Sequence, residues 1–158
     1  MLKLQPMTEA EFDTYKAWEI EDYAAEIARS FRLPQDEARA AAIRDIDGAL
    51  GQGLASPNQL LYNLVLDAED GEKRLGYLWI DVDSQKKRCY IYDIYLHPEF
   101  RGQGWGRKTL ELLETMLKEQ GIARISLNVF AHNSTAQALY RKMGFEVTNM
   151  RMQKWLGD

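Results

Sequence analysis

Residues 101–108 read Arg-Gly-Gln-Gly-Trp-Gly-Arg-Lys, with glycine at every second position between cations. Closely spaced glycines let the backbone turn so that successive N–H groups converge on a ligand. A helical pattern begins near Gly106 and adds its partially positive end. Such a nest binds phosphates, and Arg101, Arg107 and Lys108 surround it with full charges. Two familiar phosphate loops do not fit. A Walker A loop requires glycine where Arg107 stands before Lys108-Thr109, and the dinucleotide pattern G-x-G-x-x-G fails because Gly106 follows Gly104 one place early. A plain strand-to-helix turn would need one glycine rather than three.

Two other side chains could move protons. Asp93 is the only carboxylate in the run Cys89-Tyr-Ile-Tyr-Asp-Ile-Tyr-Leu96. Alternation sets it on the face opposite Tyr90 and Tyr92 unless a bulge turns it, and a charge buried there would need a partner. Tyr140 shares a helix face with Ala136, Leu139 and Met143, where it reads as a core tyrosine or as a phenol able to give a proton. His132 reads as a loop histidine and Cys89 as a small buried hydrophobe. Trp18, Trp79, Trp105 and Trp155 are too dispersed to form an obvious cage, although Trp105 lies within the glycine loop.

Periodicity supplies the elements that would hold these residues. Thr8-Glu9-Ala10-Glu11 fits a capping box, and a helix should follow with Phe12, Tyr15, Ile20, Tyr23 and Ile27 inward. Pro34 opens a second helix through Ala38, Ile43, Ile46 and Leu50 that stops in Gly51-Gln-Gly53. Strands are expected over 60–66 and 75–83, with Lys86-Lys87-Arg88 at a charged hairpin tip. The run 89–96 reads as a strand buried on both faces. Leu110, Leu113, Met116 and Leu117 recur at helical spacing before Gly121. Residues 124–130 alternate as a strand, a short helix runs from Ser134 to Met143, and Phe145-Glu-Val147 starts the last strands. Strand, helix, strand across 89–130 implies a right-handed crossover and a parallel pair within a mixed sheet.

With 158 residues the chain has the length of one ordinary domain. A net charge of −4 argues against a general nucleic-acid binder. No run suits a signal peptide or a membrane span, and a single cysteine excludes an internal disulfide and fits a reducing cytoplasm. One cysteine and two histidines do not supply a structural zinc site. Residues 8–48 hold 11 acidic and 5 basic side chains, read either as solvated helix faces or as a rim that draws in a cationic substrate.

His97-Pro-Glu-Phe-Arg101-Gly102-Gln103-Gly104-Trp105-Gly106 resembles the pyrophosphate-binding signature of the GNAT superfamily of N-acetyltransferases, its key positions met by Arg101, Gly104 and Gly106. Asn133-Ser-Thr-Ala136-Gln-Ala-Leu139-Tyr140-Arg-Lys142-Met-Gly144-Phe145 resembles the family's second signature, N-x-x-A-x-x-L-Y-x-K-x-G-F. The order of elements ahead of them matches too, so the resemblance spans nearly the whole chain. It implies an α/β fold, α+β in some schemes, forming a single domain over 1–158: a mixed, mainly antiparallel sheet with a splayed parallel strand pair, flanked by helices.

The resemblance also implies a ligand and its contacts. Acetyl-CoA would lie in the cleft where the strand over 89–96, bulged in this family, splays from the strand over 124–130. Its pantetheine arm would pair with Ile94, Tyr95 and Leu96, and its pyrophosphate would meet the amides of Gly102, Gln103, Gly104, Trp105, Gly106 and Arg107, with Arg101 beside them. The Leu96 amide would face the thioester carbonyl, Asn133 would contact the cofactor while capping its helix, and Tyr140 would protonate the departing thiolate. Relatives place a glutamate where this chain has Tyr90, Tyr92 or Asn128. The base is therefore Asp93 or a water relay lined by Tyr92, Asn128 and acids of the N-terminal helices. The expected reaction is acetyl transfer to a primary amine, on a small molecule or a protein, without a metal, a membrane or nucleic acid. A homodimer is the family habit. The alternative is a CoA-thioester-binding sensor or scaffold without turnover, favoured by the missing glutamate.

Overall fold

The computed structural model describes residues 1–157, which divide into two compact units, Met1–Asn128 and the residues from Val129 onward. In the first unit the capping box forms as expected. The Glu11 N–H donates to Thr8 Oγ1 at 3.2 Å and the Thr8 N–H donates to Glu11 Oε1 at 2.9 Å, opening α1 (Glu9–Phe31). Pro34 precedes α2 (Gln35–Leu50), which ends at Gly51. Phe12 and Tyr15 of α1 and Ile46 and Leu50 of α2 share one apolar cluster with Leu61 and Trp79 of the sheet. Exposed Lys16–Asp47 and Arg39–Glu21 pairs lace the two helices together, so most of the acidic block is a solvated face.

The sheet has five strands in the order β1 (Leu2–Pro6), β2 (Gln59–Ala68), β3 (Gly71–Asp83), β4 (Arg88–Leu96), β5 (Arg124–Leu127). The first three pairings are antiparallel and only β4 with β5 is parallel, which gives the mixed, mainly antiparallel sheet expected from the crossover. β1 was not anticipated; its signal is the alternation of Leu2 and Leu4 against Lys3 and Gln5. The crossover helix α3 (Trp105–Glu119) buries Leu110, Leu113 and Leu117 and packs against β4 and β1. No helix among the described residues is long and apolar enough to cross a membrane.

Three expectations need correction. β4 is not buried on both faces: Cys89 and Ile91 are, but Tyr92 is 46% exposed and Asp93 to Leu96 are only half-buried. β5 ends at Leu127 rather than Phe130, so beyond Ile91 no strand among the described residues pairs with β4 on the side away from β3. Residues 145–157 form neither strand nor helix, although Phe145 and Val147 alternate with polar neighbours. An isolated strand leaves all its backbone groups without ladder partners, so alternation without a sheet edge does not make a strand.

Gly76 fixes how closely β3 approaches β4. A Cβ there would lie 1.7 Å from the Tyr95 carbonyl oxygen, inside any contact distance. We expect Gly76→Ala to cost about 1–3 kcal/mol in urea unfolding, the range for overpacking a filled site. Gly48, inside α2 with nothing within 4 Å of a built Cβ, is the control. Gly48→Ala should stabilise by roughly 0.5–1 kcal/mol.

Candidate active site

The first unit gathers its functional groups where β4 loses its second neighbour. The parallel ladder pairs Arg88 with Arg124 through Ile91 with Leu127 and then stops. At the same place the β3–β4 register jumps: Ile80 faces Ile91 while Trp79 faces Asp93, leaving Tyr92 as the extra residue of a bulge. From Asp93 to Leu96, β4 keeps β3 on one side and has no strand on the other. Main-chain groups on that side are therefore free to meet an extended, amide-bearing ligand. Ile94, Tyr95 and Leu96 occupy this free stretch.

The bulge also overturns the expected orientation of Asp93. Tyr90 pairs with Asp81 and Asp93 with Trp79, two residues apart on β3, so Tyr90 and Asp93 share a face instead of opposing one another. That face is the one covered by α1, where Trp79 joins the apolar cluster. Tyr92 stacks on the Trp79 ring at 4.4 Å.

Asp93 has partners there. Tyr15 Oη lies 2.8 Å from Asp93 Oδ2 and 2.9 Å from Glu19 Oε2. A phenol has one proton and cannot donate to both carboxyls, so one of these contacts takes its proton from a carboxylic acid. Glu19, only 7% exposed, is that acid: burial first, and then the Asp93 charge, push its pKa up to about 10. Burial also raises Asp93, while hydrogen bonds from Glu19 and Tyr15 favour its charged form. The trio therefore holds one negative charge, centred on Asp93, with Glu19 protonated. Nearby Asp22 is raised by burial and by Asp93 and Glu26, and lowered by Arg101.

Glu19 and Tyr15 as a proton-holding pair escaped sequence reading, although the signal was present. Phe12, Tyr15, Glu19, Tyr23 and Ile27 recur at steps of three and four, so Glu19 stands within the apolar stripe of α1. An acid in such a stripe is either misplaced or paired.

The glycine loop closes the other end of the free edge. The His97 N–H donates to the Leu75 carbonyl at 2.8 Å, and a single turn over Pro98–Phe100 leads to Arg101. Gly102 and Gly104 take φ values of 72° and 84°, which side-chain-bearing residues rarely adopt, and Gly104 caps α3 with no side chain of its own. The first-turn amides of Trp105, Gly106 and Arg107 thus lack a side-chain cap. Arg101 Nε donates to the Leu96 carbonyl at 2.9 Å, with its guanidinium over the Tyr95 ring. Gln103 Nε2 donates to the Glu99 carbonyl at 2.9 Å, Arg107 pairs with Glu111, and Lys108 lies over the Trp105 ring. Uncapped amides and a basic border are the features of an anion site.

The second unit holds α4 (Ser134–Lys142), capped as expected by Asn133, whose Oδ1 accepts from the Ala136 N–H at 3.3 Å. Tyr140 is half-buried, with its ring 5.5 Å from that of Phe145. His132 is exposed and stacks with Phe130.

A sheet whose single parallel pair parts over a bulged strand, followed by a glycine nest at a helix N-terminus, defines an acyl-CoA-dependent N-acetyltransferase. The chain belongs to the Acetyltransferase (GNAT) family, which matches over residues 5–145 and uses acetyl-CoA. It is similar to the uncharacterised N-acetyltransferase YdgE of Bacillus subtilis, at 35% identity over 97% of each chain. The crystal structure of the acetyltransferase YycN of the same organism superposes with a TM-score of 0.91 at 31% identity over 100% of both chains. An N-acetyltransferase from Thermoplasma acidophilum in complex with coenzyme A shares the fold, with a TM-score of 0.67 at 15% identity over 96% of this chain and 93% of that one.

The shared proton has a measurable consequence. Glu19 ionises near 4.5 when solvated and at about 10 in the fold, so between those values the folded chain retains a proton that the unfolded chain releases. Its stabilisation is complete below the lower value and is lost as pH rises towards the upper one. We expect wild-type unfolding free energy to fall between about pH 6 and pH 9 by up to about 1.4 kcal/mol per pH unit. Glu19→Gln, which keeps a donor but does not titrate, should flatten that slope. Equal slopes for the two proteins would show that Glu19 is charged in the fold.

Proposed function

We propose that this chain acetylates a primary amine, on a small molecule or a protein, by direct attack on acetyl-CoA within a ternary complex. The observation that carries this reading is the cluster of Asp93 and Glu19, each within 2.9 Å of the Tyr15 hydroxyl, beside the length of β4 that has no strand on one side. Both units then serve one acetyltransferase domain, since the family match runs across their boundary. The single buried cysteine accords with the reducing cytoplasm.

In this mechanism the amide groups of Ile94, Tyr95 and Leu96 hold the pantetheine arm as an added strand. Amides from Gly102 to Arg107 and the Arg101 charge hold the diphosphate, and Trp105 and Gln103 shape the loop around it. The amine nitrogen attacks the thioester carbonyl carbon, and charge gathers on its oxygen, where the Leu96 amide is the donor. Asp93 takes the proton that the amine nitrogen loses, with Tyr15 donating to the carboxylate and the Glu19 acid donating in turn to Tyr15, so that Asp93 holds its charge in a desolvated place. As the carbon–sulfur bond breaks, the Tyr140 phenol gives its proton to the leaving thiolate. Asn133 contacts the coenzyme and caps α4. The base sought at Tyr90, Tyr92 or Asn128 is thus supplied by Asp93 together with an acid of α1.

Thiol release from acetyl-CoA across an amine library tests the reading directly; no amine-dependent release from any class would refute it. Tyr140→Phe should slow release by about 100-fold while leaving coenzyme A affinity nearly unchanged. Gly104→Glu, which places a carboxylate and a side chain at a left-handed position in the nest, should weaken coenzyme A binding at least about tenfold by calorimetry. Asp93→Asn should lower kcat/KM and remove the acidic limb of its pH profile.

A further inference from the structure

A primary amine is mostly ammonium at neutral pH, since an alkylammonium ionises near the lysine value of about 10.4. Four bonds leave that nitrogen no lone pair for attack. Acetylation therefore strips two protons from it, one before attack and one after, while both ligands lie along β4. Asp93 holds one proton at a time and must be emptied in between. Resting on the acetyl-transfer reading, this asks for a way out behind Asp93, away from the ligands.

The α1 side of Asp93 offers one. Tyr15 Oη lies 2.8 Å from Asp93 Oδ2 and 2.9 Å from Glu19 Oε2, so a single hydroxyl bridges the two carboxyls. Tyr15 is 1% exposed, and burial together with both carboxyls pushes its phenol well above its usual range. It does not ionise, so it passes a proton only by taking one as it gives another. Glu19 is the next buried member, and the Asp22 charge acts on it. Asp22 stands three residues further along the same helix face and is exposed. Tyr15, Glu19 and Asp22 thus make one line from the strand to the surface. The titratable and charged groups around it are Asp93 of β4, Tyr23 and Glu26 of α1, and Arg101 of the glycine loop. Holding Asp93 in place needs only the Tyr15 hydroxyl. A buried acid behind it costs free energy without adding to that hold.

We propose that Tyr15 and Glu19 carry protons from Asp93 to water beside Asp22, so that an amine arriving as ammonium is discharged inside the ternary complex. A nitrogen–hydrogen bond breaks and its proton joins Asp93. With Asp93 neutral, Glu19 loses one cause of its grip on its own proton and releases it at the surface. The Tyr15 hydroxyl turns to the new Glu19 carboxylate and takes the Asp93 proton while giving up its own. Asp93 is then charged and Glu19 protonated, as at the start, and one proton has left. After attack the same cycle removes the second. Tyr140 draws one proton from solvent to replace the one given to the thiolate, so each turnover releases one proton net.

Glu19→Gln keeps a donor to Tyr15 but cannot relay. At pH 7 it should lower kcat/KM by about 100-fold for the most active alkylamine of the library. For the β-fluorinated analogue of that amine, whose nitrogen is largely neutral at pH 7, the loss should stay below about twofold, which also shows that the variant folds. The deficit on the alkylamine should narrow by about tenfold for each pH unit of increase, as neutral amine becomes available. Glu19→Ala should regain the alkylamine rate as formate, a small carboxylate able to take the vacated place, is added. Equal losses on the two amines, a deficit that does not change with pH, or no response to formate would overturn the relay and leave acetyl transfer standing, because wild type still releases thiol. A wild type that releases no thiol with any amine would refute acetyl transfer, and the relay would fall with it.

Discussion

The parallel ladder of β4 and β5 ends at the pair Ile91 and Leu127, and most of the site in the first unit follows from that end. Up to that point β4 is an ordinary interior strand with Cys89 and Ile91 buried. Beyond it, no strand among the described residues pairs with one side of β4, and the Leu96 carbonyl takes its hydrogen bond from Arg101 instead. Such an edge costs free energy unless solvent or a ligand meets it, and that is what makes it a binding surface. The bulge at Tyr92 occurs at the same level and works in the same direction. It resets the phase of β4, turning Asp93 and Tyr95 towards α1, and puts Tyr92 out over Trp79.

The consequence for the acid chemistry is electrostatic. A lone carboxylate against an apolar helix face would be expelled or neutralised. Here Tyr15 and Glu19 lie one helical turn apart, so both reach the same point of β4, and a single negative charge is divided among three groups. The neutral member, Glu19, acts as a hydrogen-bond donor, a role open to a carboxylic acid only when burial holds its proton on. The aromatic rings of Trp18, Tyr77 and Tyr95 pack around the trio and keep water from screening it. At the other end of the free strand, Arg101 bonds to the Leu96 carbonyl and also lowers the cost of charge on Asp22, so the cationic loop and the acidic pocket act on one another.

Binding and stability draw on the same residues. Gly76 brings β3 against the Tyr95 carbonyl and so sets the line of the free edge, while Gly102 and Gly104 adopt the backbone angles that aim the first amides of α3 outwards. A side chain at Gly76 would collide with the Tyr95 carbonyl, and one at Gly102 or Gly104 would meet open space but strain the left-handed backbone.

Local features were legible in the sequence because their causes are local. The capping box of α1, the Asn133 cap of α4, the proline before α2 and the glycine nest before α3 each depend on a few neighbouring residues. The parallel crossover followed from chain order, and the family followed from two short signatures. What the tertiary structure decided was every feature that depends on a partner far along the chain. The phase of β4 at Asp93 depends on a one-residue bulge against β3, which reverses the prediction from alternation. The proton on Glu19 depends on a contact with Asp93 across 74 positions, visible in sequence only as an acid within an apolar stripe. The end of β5 and the lack of a strand over residues 145–157 depend on which edge is available, because a strand pattern specifies a willingness to pair and not the partner.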